Sequence, residues 1–391
     1  MIIAIDARPL VTRHIAGAEQ HARNIVAAWA SMHTPHRFVL MLSPQWQNLP
    51  DYDPGLIQQL PQELFSIYLP VAGRMGRLLP RHSSLVRVAS KIAGQDINLF
   101  HSFTAELPSR AAMPMVHTIH DLACELDPQV RRTIEGAESR RIHRQGIRRA
   151  TSTIAVSTQT RNDVLGVYRL SPAKVHLIFN GINPVFVPQQ DRALQRQLHA
   201  AWPLDNRYVL LVGSDIPRRN YARVWQAIQK VWISDPSLRL VLAGRNVWTR
   251  SEFFKRAHAS GLAERITFIQ SPTDAELAQL YRDALITCCG SSFEGFGLSV
   301  LEAMACGCPV ACSDMSSLRE VADDAPLYFT HDDVDSIAEA ITSLAEDSEY
   351  RRQLRQRGLA RASRFTWAAS AQRLLGILEQ VAEFDRHARF A

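Results

Sequence analysis

The stretch CGSSFEGFGLSVLEAMACGCPVACSD, residues 289–314, carries the densest chemistry in the chain. A strand-like run ends at Thr287, a loop holding Gly295 and Gly297 follows, and residues 299–305 then read as a helix. The helix starts near Leu298, and Gly307 followed by Pro309 stops it. Strand, glycine loop and helix in this order form one crossover of a parallel sheet. The glycines let the backbone approach a bulky anion. The first N–H groups of a helix lack internal partners and stand at the positive end of its dipole, so a phosphate fits there. Glu302, on the first turns, is placed to accept from ribose hydroxyls, and Glu294, ahead of the glycines, from sugar hydroxyls beyond the phosphate. As plain scaffolding the segment would be a tight turn with two solvated acids. The agreement of acids, glycines, helix start and helix stop favours the binding reading.

The same alternation extends in both directions. Toward the N-terminus, strand-like runs fall at 2–5, 38–42, 99–101, 116–119, 152–156 and 174–178, with a helix at 19–30 whose apolar positions Ala22, Ile25, Val26 and Trp29 share one face. Residues 184–206, rich in Pro and Gln, read as an interdomain segment. Strands then resume at 208–212, 238–243, 266–268, 284–287 and 309–311, and residues 336–391 read as helical throughout. The expected architecture is α/β: two Rossmann-like, doubly wound domains facing a cleft. An N-terminal acceptor-binding domain spans 1–183, a linker 184–206 and a donor-binding domain 207–370. A C-terminal helix, 371–391, packs back toward the first domain. Ligands bind outside the carboxyl ends of the strands in such sheets, so one partner per domain suits a two-substrate transferase.

Composition narrows the classes. With 46% hydrophobic and 21% charged residues the chain is globular, and no apolar run reaches the ~18–20 residues that span a bilayer. MIIAIDARPL has no basic segment ahead of its apolar stretch and reads as a first strand, not a signal peptide; a cytoplasmic protein is expected. The six cysteines lack zinc-site spacing and read as buried thiols. Residues 1–190 carry 20 Lys and Arg against 13 Asp and Glu, whereas the remainder is near neutral. No nucleic-acid signature accompanies this excess, which points to an anionic membrane surface or a phosphate-bearing lipid acceptor. Its densest parts are 73–91 and 131–149, the latter with Arg131, Arg132, Arg140, Arg141, Arg144, Arg148 and Arg149. A solvated arginine-rich surface is the plain alternative, since the chain uses arginine almost to the exclusion of lysine.

The 289–314 segment resembles the E-x7-E signature of retaining glycosyltransferases of family 4, which have the two-domain GT-B fold. Other elements are similar to the same family: Gly17-Ala18, His120-Asp121-Leu122, Ala155-Val156-Ser157 with Thr160-Arg161, Phe179-Asn180-Gly181-Ile182, and Val212-Gly213 through Arg218-Arg219-Asn220. The resemblance implies a nucleotide-sugar donor with Glu302 at its ribose, Glu294 at its sugar and Arg219 at its diphosphate. It also implies His120 beside the transferred sugar and Gly17 under the phosphate. Ser214, Arg218, Gly295, Phe296, Gly297 and Leu298 fall in the matching donor-binding loops. Arg219 stands where lysine is commoner, Ser214 where some members have arginine, and Ser299 replaces a common proline. Arginine keeps the cation and grips phosphate bidentately.

A nucleoside diphosphate leaving group needs a metal or fixed cations and dipoles. No D-x-D follows a strand; Asp333-x-Asp335 sits at a helix start, where acids compensate the dipole. Arg218, Arg219 and the helix start are the evident substitutes, so no metal or other cofactor is expected. His120 ends an apolar strand at the edge where ligands bind, His117 reads as structural and His101 as a cleft-lining candidate. The IDARPL start and the 217–220 loop resemble bacterial mannosyl- and rhamnosyltransferases, which makes mannose from GDP-mannose the first expected donor. The acceptor would be a saccharide or lipid-linked oligosaccharide of surface polysaccharide synthesis. A nucleotide-sugar epimerase and a non-catalytic sugar-nucleotide binder are the alternatives. A dehydrogenase is disfavoured because no G-x-G-x-x-G follows the first strand.

Overall fold

The computed structural model describes residues 1–12, 17–42, 51–68, 97–108, 111, 113–205, 207–244 and 252–390. The chain forms two compact units: unit 1 of Met1–Leu126, Arg131–Gly181 and Thr366–Ala391, and unit 2 of Asp127–Val130 and Ile182–Phe365.

Unit 1 is built on seven parallel strands among the described residues: β1 (Ile2–Asp6), β2 (Arg37–Met41), β3 (Phe65–Tyr68), β4 (Leu99–Ser102), β5 (Met115–Ile119), β6 (Ser152–Ala155) and β7 (Val175–Leu177). Their order is β3-β2-β1-β4-β5-β6-β7, so the winding reverses between β1 and β4. The central strands are buried on both faces, as in a sheet covered by helices on each side, although β4 and β5 carry His101, Ser102, His117 and Thr118. The helix Gly17–Ala30 buries Ala22, Ile25, Val26 and Trp29, the face its spacing predicts. Against that face lies the last helix, Trp367–Phe390, contributing Trp367, Ala371, Leu374 and Leu378 to one core. Trp29 Nε1 donates to the Ala371 carbonyl at 3.0 Å. This helix begins at Trp367, so position 370 lies inside it.

Unit 2 has six parallel strands among the described residues: β8 (Tyr208–Val212), β9 (Arg239–Gly244), β10 (Ile266–Gln270), β11 (Ile286–Cys289), β12 (Val310–Ser313) and β13 (Leu327–Phe329). Their order is β10-β9-β8-β11-β12-β13, with the reversal between β8 and β11. Helices Tyr221–Ser234 and Val334–Glu346 pack on this sheet through Val224, Ile228, Trp232, Ile341 and Leu344. Of the segment expected as a linker, residues 184–205 cluster with this unit. The helix Arg192–Ala201 is tied to the helix Asp274–Asp283 through Gln195 and Asp283 at 2.7 Å, and Arg282 donates to the Val185 and Val187 carbonyls. All six cysteines are buried and unpaired, and burial pushes the Cys124 and Cys308 thiols up to about 12.

Candidate active site

In unit 2 the residues of the 289–314 segment converge at the β8/β11 reversal, where open α/β sheets take their ligands. Beyond β8, Gly213 has φ +124 and lies against the Arg219 guanidinium; a side chain there would start 3.3 Å from Arg219 Nε. The turn Pro217–Arg219 follows, and Asn220, at φ 58, reverses the chain into the helix Tyr221–Ser234. The Asn220 amide donates to the His331 carbonyl at 2.6 Å, which holds this left-handed residue in place. Beyond β11, the Ser292 amide donates to the Arg218 carbonyl at 2.8 Å and stitches the two loops together.

Glu294 is the centre of this arrangement. Its Oε1 accepts from Arg219 Nη1 at 2.8 Å and from Ser291 Oγ at 2.8 Å, and its Oε2 faces Arg218 Nη1 at 3.3 Å. Its own carbonyl accepts from Ser316 and Ser317 at 2.6 and 2.9 Å. Burial pushes this carboxyl up, but Arg219, Arg218 and the Ser291 hydroxyl outweigh it and hold Glu294 below the usual carboxylate range. The glutamate expected at the sugar and the two arginines expected at the phosphate therefore form one ion-paired unit with a net charge of one cation. Arg219 Nε is buried with no acceptor among the described residues.

The helix Leu298–Ala305 begins beside this unit. Gly297, its N-cap, has φ +96, and a side chain there would start 2.5 Å from Leu318 Cδ2. The positive φ is what favours glycine here, since the Leu318 side chain could shift. The Leu298 and Ser299 amides have no partner among the described residues, as expected for a first turn. Glu302 is buried one turn further on and accepts from the Tyr281 hydroxyl at 3.3 Å. Gly295 and Phe296 complete the loop, and Ser214 is half-buried, its carbonyl accepting from Ile216. Asp333 caps the helix Val334–Glu346 by accepting from the Asp335 and Ser336 amides. Among the described residues no three His, Cys, Asp or Glu side chains are grouped to hold a metal.

In unit 1 the equivalent reversal, between β1 and β4, carries a cluster that the sequence analysis missed. Arg8 Nε donates to both Asp6 oxygens at 3.0 and 2.9 Å, and its guanidinium also pairs with Glu106. An acid and an arginine two apart at a strand's carboxyl end, quoted within IDARPL, were the available signal. His120 follows β5, half-buried, with Nε2 2.8 Å from the Phe103 carbonyl. Gly17 is exposed at the start of its helix. His117 is a core residue bonded to the Ala105 carbonyl and Thr153 Oγ1. His101 is fully buried edge-on to Phe103 and lines no surface. Ser157 caps the helix Thr158–Tyr168 by accepting from the Thr160 amide.

Residues 15–186 match the family model described as Glycosyltransferase Family 4, and residues 195–361 match Glycosyl transferases group 1. The chain belongs to the family 4-type GT-B glycosyltransferases. It is 27% identical over 274 residues to O-antigen chain mannosyltransferase B of Escherichia coli, covering 69% of this chain and 71% of that one. It is 28% identical over 288 residues to a D-inositol 3-phosphate glycosyltransferase of Streptosporangium roseum, covering 68% and 64%. The glycosyltransferase therefore spans about two thirds of the length of these relatives. Among solved structures, Anabaena HepE in complex with UDP and glucose superposes with a TM-score of 0.72 at 18% identity, covering 97% of this chain and 99% of that one. WaaG, a glycosyltransferase involved in lipopolysaccharide biosynthesis, superposes with a TM-score of 0.69 at 15% identity, covering 97% and 99%. These likenesses show the fold.

The arginines at 131–149 of the glycosyltransferase divide into two sets on the helix Ile134–Arg149 and the turn before it. Arg140 donates to the Cys124 and Arg131 carbonyls, Arg141 pairs with Glu138, Arg144 with Glu125, and Arg149 donates to the Leu107 carbonyl. Arg131, Arg132 and Arg148 are exposed and make no ion pair among the described residues, and Ile134 beside them is 85% exposed. The 73–91 stretch lies outside the described residues. No helix among the described residues is long and apolar enough to cross a membrane.

Proposed function

We propose that this glycosyltransferase moves a hexose with retention from a nucleotide sugar, GDP-mannose first, to a saccharide or lipid-linked oligosaccharide in surface polysaccharide synthesis. The observation that carries this reading is the Arg218–Arg219–Glu294 unit beside the unpaired amides of the helix Leu298–Ala305. Two arginines less one glutamate, together with roughly half a charge from the helix dipole, complement a diphosphate without a metal. In this reading Glu302 takes the ribose, and Glu294 takes the sugar through the lone pairs its arginines leave. Ser214, Gly295, Phe296, Gly297 and Leu298 shape the diphosphate pocket of unit 2, and in unit 1 Gly17 and His120 are the residues proposed for the phosphate and the transferred sugar. Glu294, ion-paired and held low, is a poor proton acceptor. The base nearest in kind is the departing phosphate oxygen: the C1–O bond to the diphosphate breaks, the acceptor oxygen bonds C1, and the acceptor proton passes to that phosphate.

The likeness to the mannosyltransferase supports mannose as the sugar. The acceptor is assigned to unit 1, where Arg8 paired with Asp6 and Glu106 sets donors beside acceptors, a combination that suits sugar hydroxyls. Arg131, Arg132 and Arg148 are proposed to hold the cytoplasmic face of an anionic membrane. A thermal-shift screen against GDP-, UDP-, dTDP- and ADP-sugars, followed by transfer with the stabilising donor, tests the reading, since a ligand that binds the native state raises Tm. GDP-mannose is expected to give the largest shift, and an α-linked product to form by NMR. No shift with any donor, or a shift without turnover or hydrolysis, would leave the chain a binder of something else.

A further inference from the structure

One imidazole in unit 1 is fixed in place and has no role in the site as described. His21, on the helix Gly17–Ala30, is entirely buried. Its Nδ1 donates to Asn180 Oδ1 at 2.7 Å, which leaves Nε2 as a buried lone pair with no partner among the described residues. Asn180 is itself gripped. Ser370 Oγ donates to the neighbouring Phe179 carbonyl at 2.6 Å, and Gly181 lies so close to the last helix that a side chain would start 2.2 Å from the Trp367 amide. The His21 ring meets the His120 ring at 5.1 Å and 79°, and Trp367 and Phe103 at 5.7 and 5.8 Å. A buried imidazole that forgoes one hydrogen bond costs stability, so a positional benefit must offset it.

We propose that His21 is a positioning residue for His120, held by Asn180 and packed at right angles so that the His120 ring keeps one orientation. In that orientation His120 Nε2 carries the proton given to the Phe103 carbonyl, and Nδ1 is left as an acceptor for a substrate hydroxyl. This rests on His120 meeting the sugar. The groups facing His120 are Asp121 beside it, Glu19 and His21 on the helix Gly17–Ala30, His143 on the helix Ile134–Arg149, and the Phe103 carbonyl. Burial lowers the His120 pKa, against upward pushes from Phe103, Asp121 and Glu19, so the ring stays neutral.

The test combines turnover of GDP-mannose with the 15N shifts of the His120 imidazole in His21→Ala and His21→Phe. Truncation to alanine admits water beside His120, so its pKa climbs toward the ordinary ~6.5 and the acid limb of turnover moves up in pH. Turnover is expected to fall about tenfold or more, while GDP affinity stays within about twofold. Phenylalanine keeps the packing and loses the Asn180 bond, so a smaller fall of about threefold is expected even if the alanine variant fails to fold. Wild-type turnover and an unmoved His120 titration in the phenylalanine variant, and in the alanine variant where it folds, would overturn the proposal whatever happens to Tm. If His120→Ala keeps full turnover, the underlying reading of His120 fails instead.

Discussion

At the residue scale, Glu302 and Glu294 lie eight apart in sequence and sit in different electrostatic settings. Glu302 accepts from the Tyr281 hydroxyl, whereas Glu294 is paired with Arg218 and Arg219. Glu302→Ala should weaken nucleotide sugar and free nucleoside diphosphate alike, by ~1.5–3 kcal/mol, and calorimetry on both ligands checks this. Unchanged affinity for the free nucleotide would remove Glu302 from the ribose. Glu294→Gln keeps the shape but deprives two arginines of their counter-charge. It should retain or tighten nucleoside diphosphate binding, slow sugar transfer and lower stability by ~3–5 kcal/mol, the usual cost of orphaning a buried charge. Because Glu294 is depressed in the folded state, its stabilisation is full above about pH 4.5 and is lost as pH falls through its lower folded value. A urea titration of the variant should therefore lack that part of the acid loss.

At the scale of elements, legibility followed burial. The central strands β1, β4, β5, β8 and β11 are largely apolar or β-branched and fully covered, and their sequence-derived positions agree with the structure within two residues. The edge strands β3 and β13 were missed. β3 exposes Ile67 and β13 has three residues, so neither carries the doubly covered pattern. The glycine loop and helix start at 295–305 were legible because a positive φ and an early helical turn each demand particular residues. The ion pairing of Glu294 with both arginines was not, since it joins loops some 75 residues apart. Nor could composition separate the arginines that cap carbonyls from those that do not. A vesicle-binding experiment on the membrane proposal should therefore reverse Arg131, Arg132 and Arg148 to glutamate and spare Arg140, Arg141 and Arg144, which are tied to carbonyls and acids. Each freed arginine contributes ~1 kcal/mol near an anionic surface, so the triple variant should leave anionic vesicles at low salt with nucleotide affinity intact. Wild-type protein that ignores such vesicles would make these arginines an ordinary solvated surface.

At the scale of the whole molecule, the two units differ in what acid does to them. Unit 1 buries His21, His101 and His117, with burial lowering their pKa values to about 3, 3 and 4. The unfolded chain takes up protons on these histidines below about pH 6.5 while the folded unit does not. Folding stability therefore falls as pH drops from about 6.5 toward 4, by roughly 1.4 kcal/mol per unit for each histidine. Hydrogen exchange at pH 7 and pH 5 should show unit 1 loosening before unit 2, and equal protection in both would contradict this. In unit 2 the proposed function has fixed arginines and a helix start, with no metal, hold a nucleoside diphosphate. Its most direct test is calorimetric titration of GDP and UDP in EDTA into the wild type and Arg219→Ala. The wild type is expected to bind at least one of them under these conditions, and Arg219→Ala to bind it ~10–100-fold more weakly. Binding that appears only when manganese or magnesium is added, or that Arg219→Ala leaves unchanged, would contradict it.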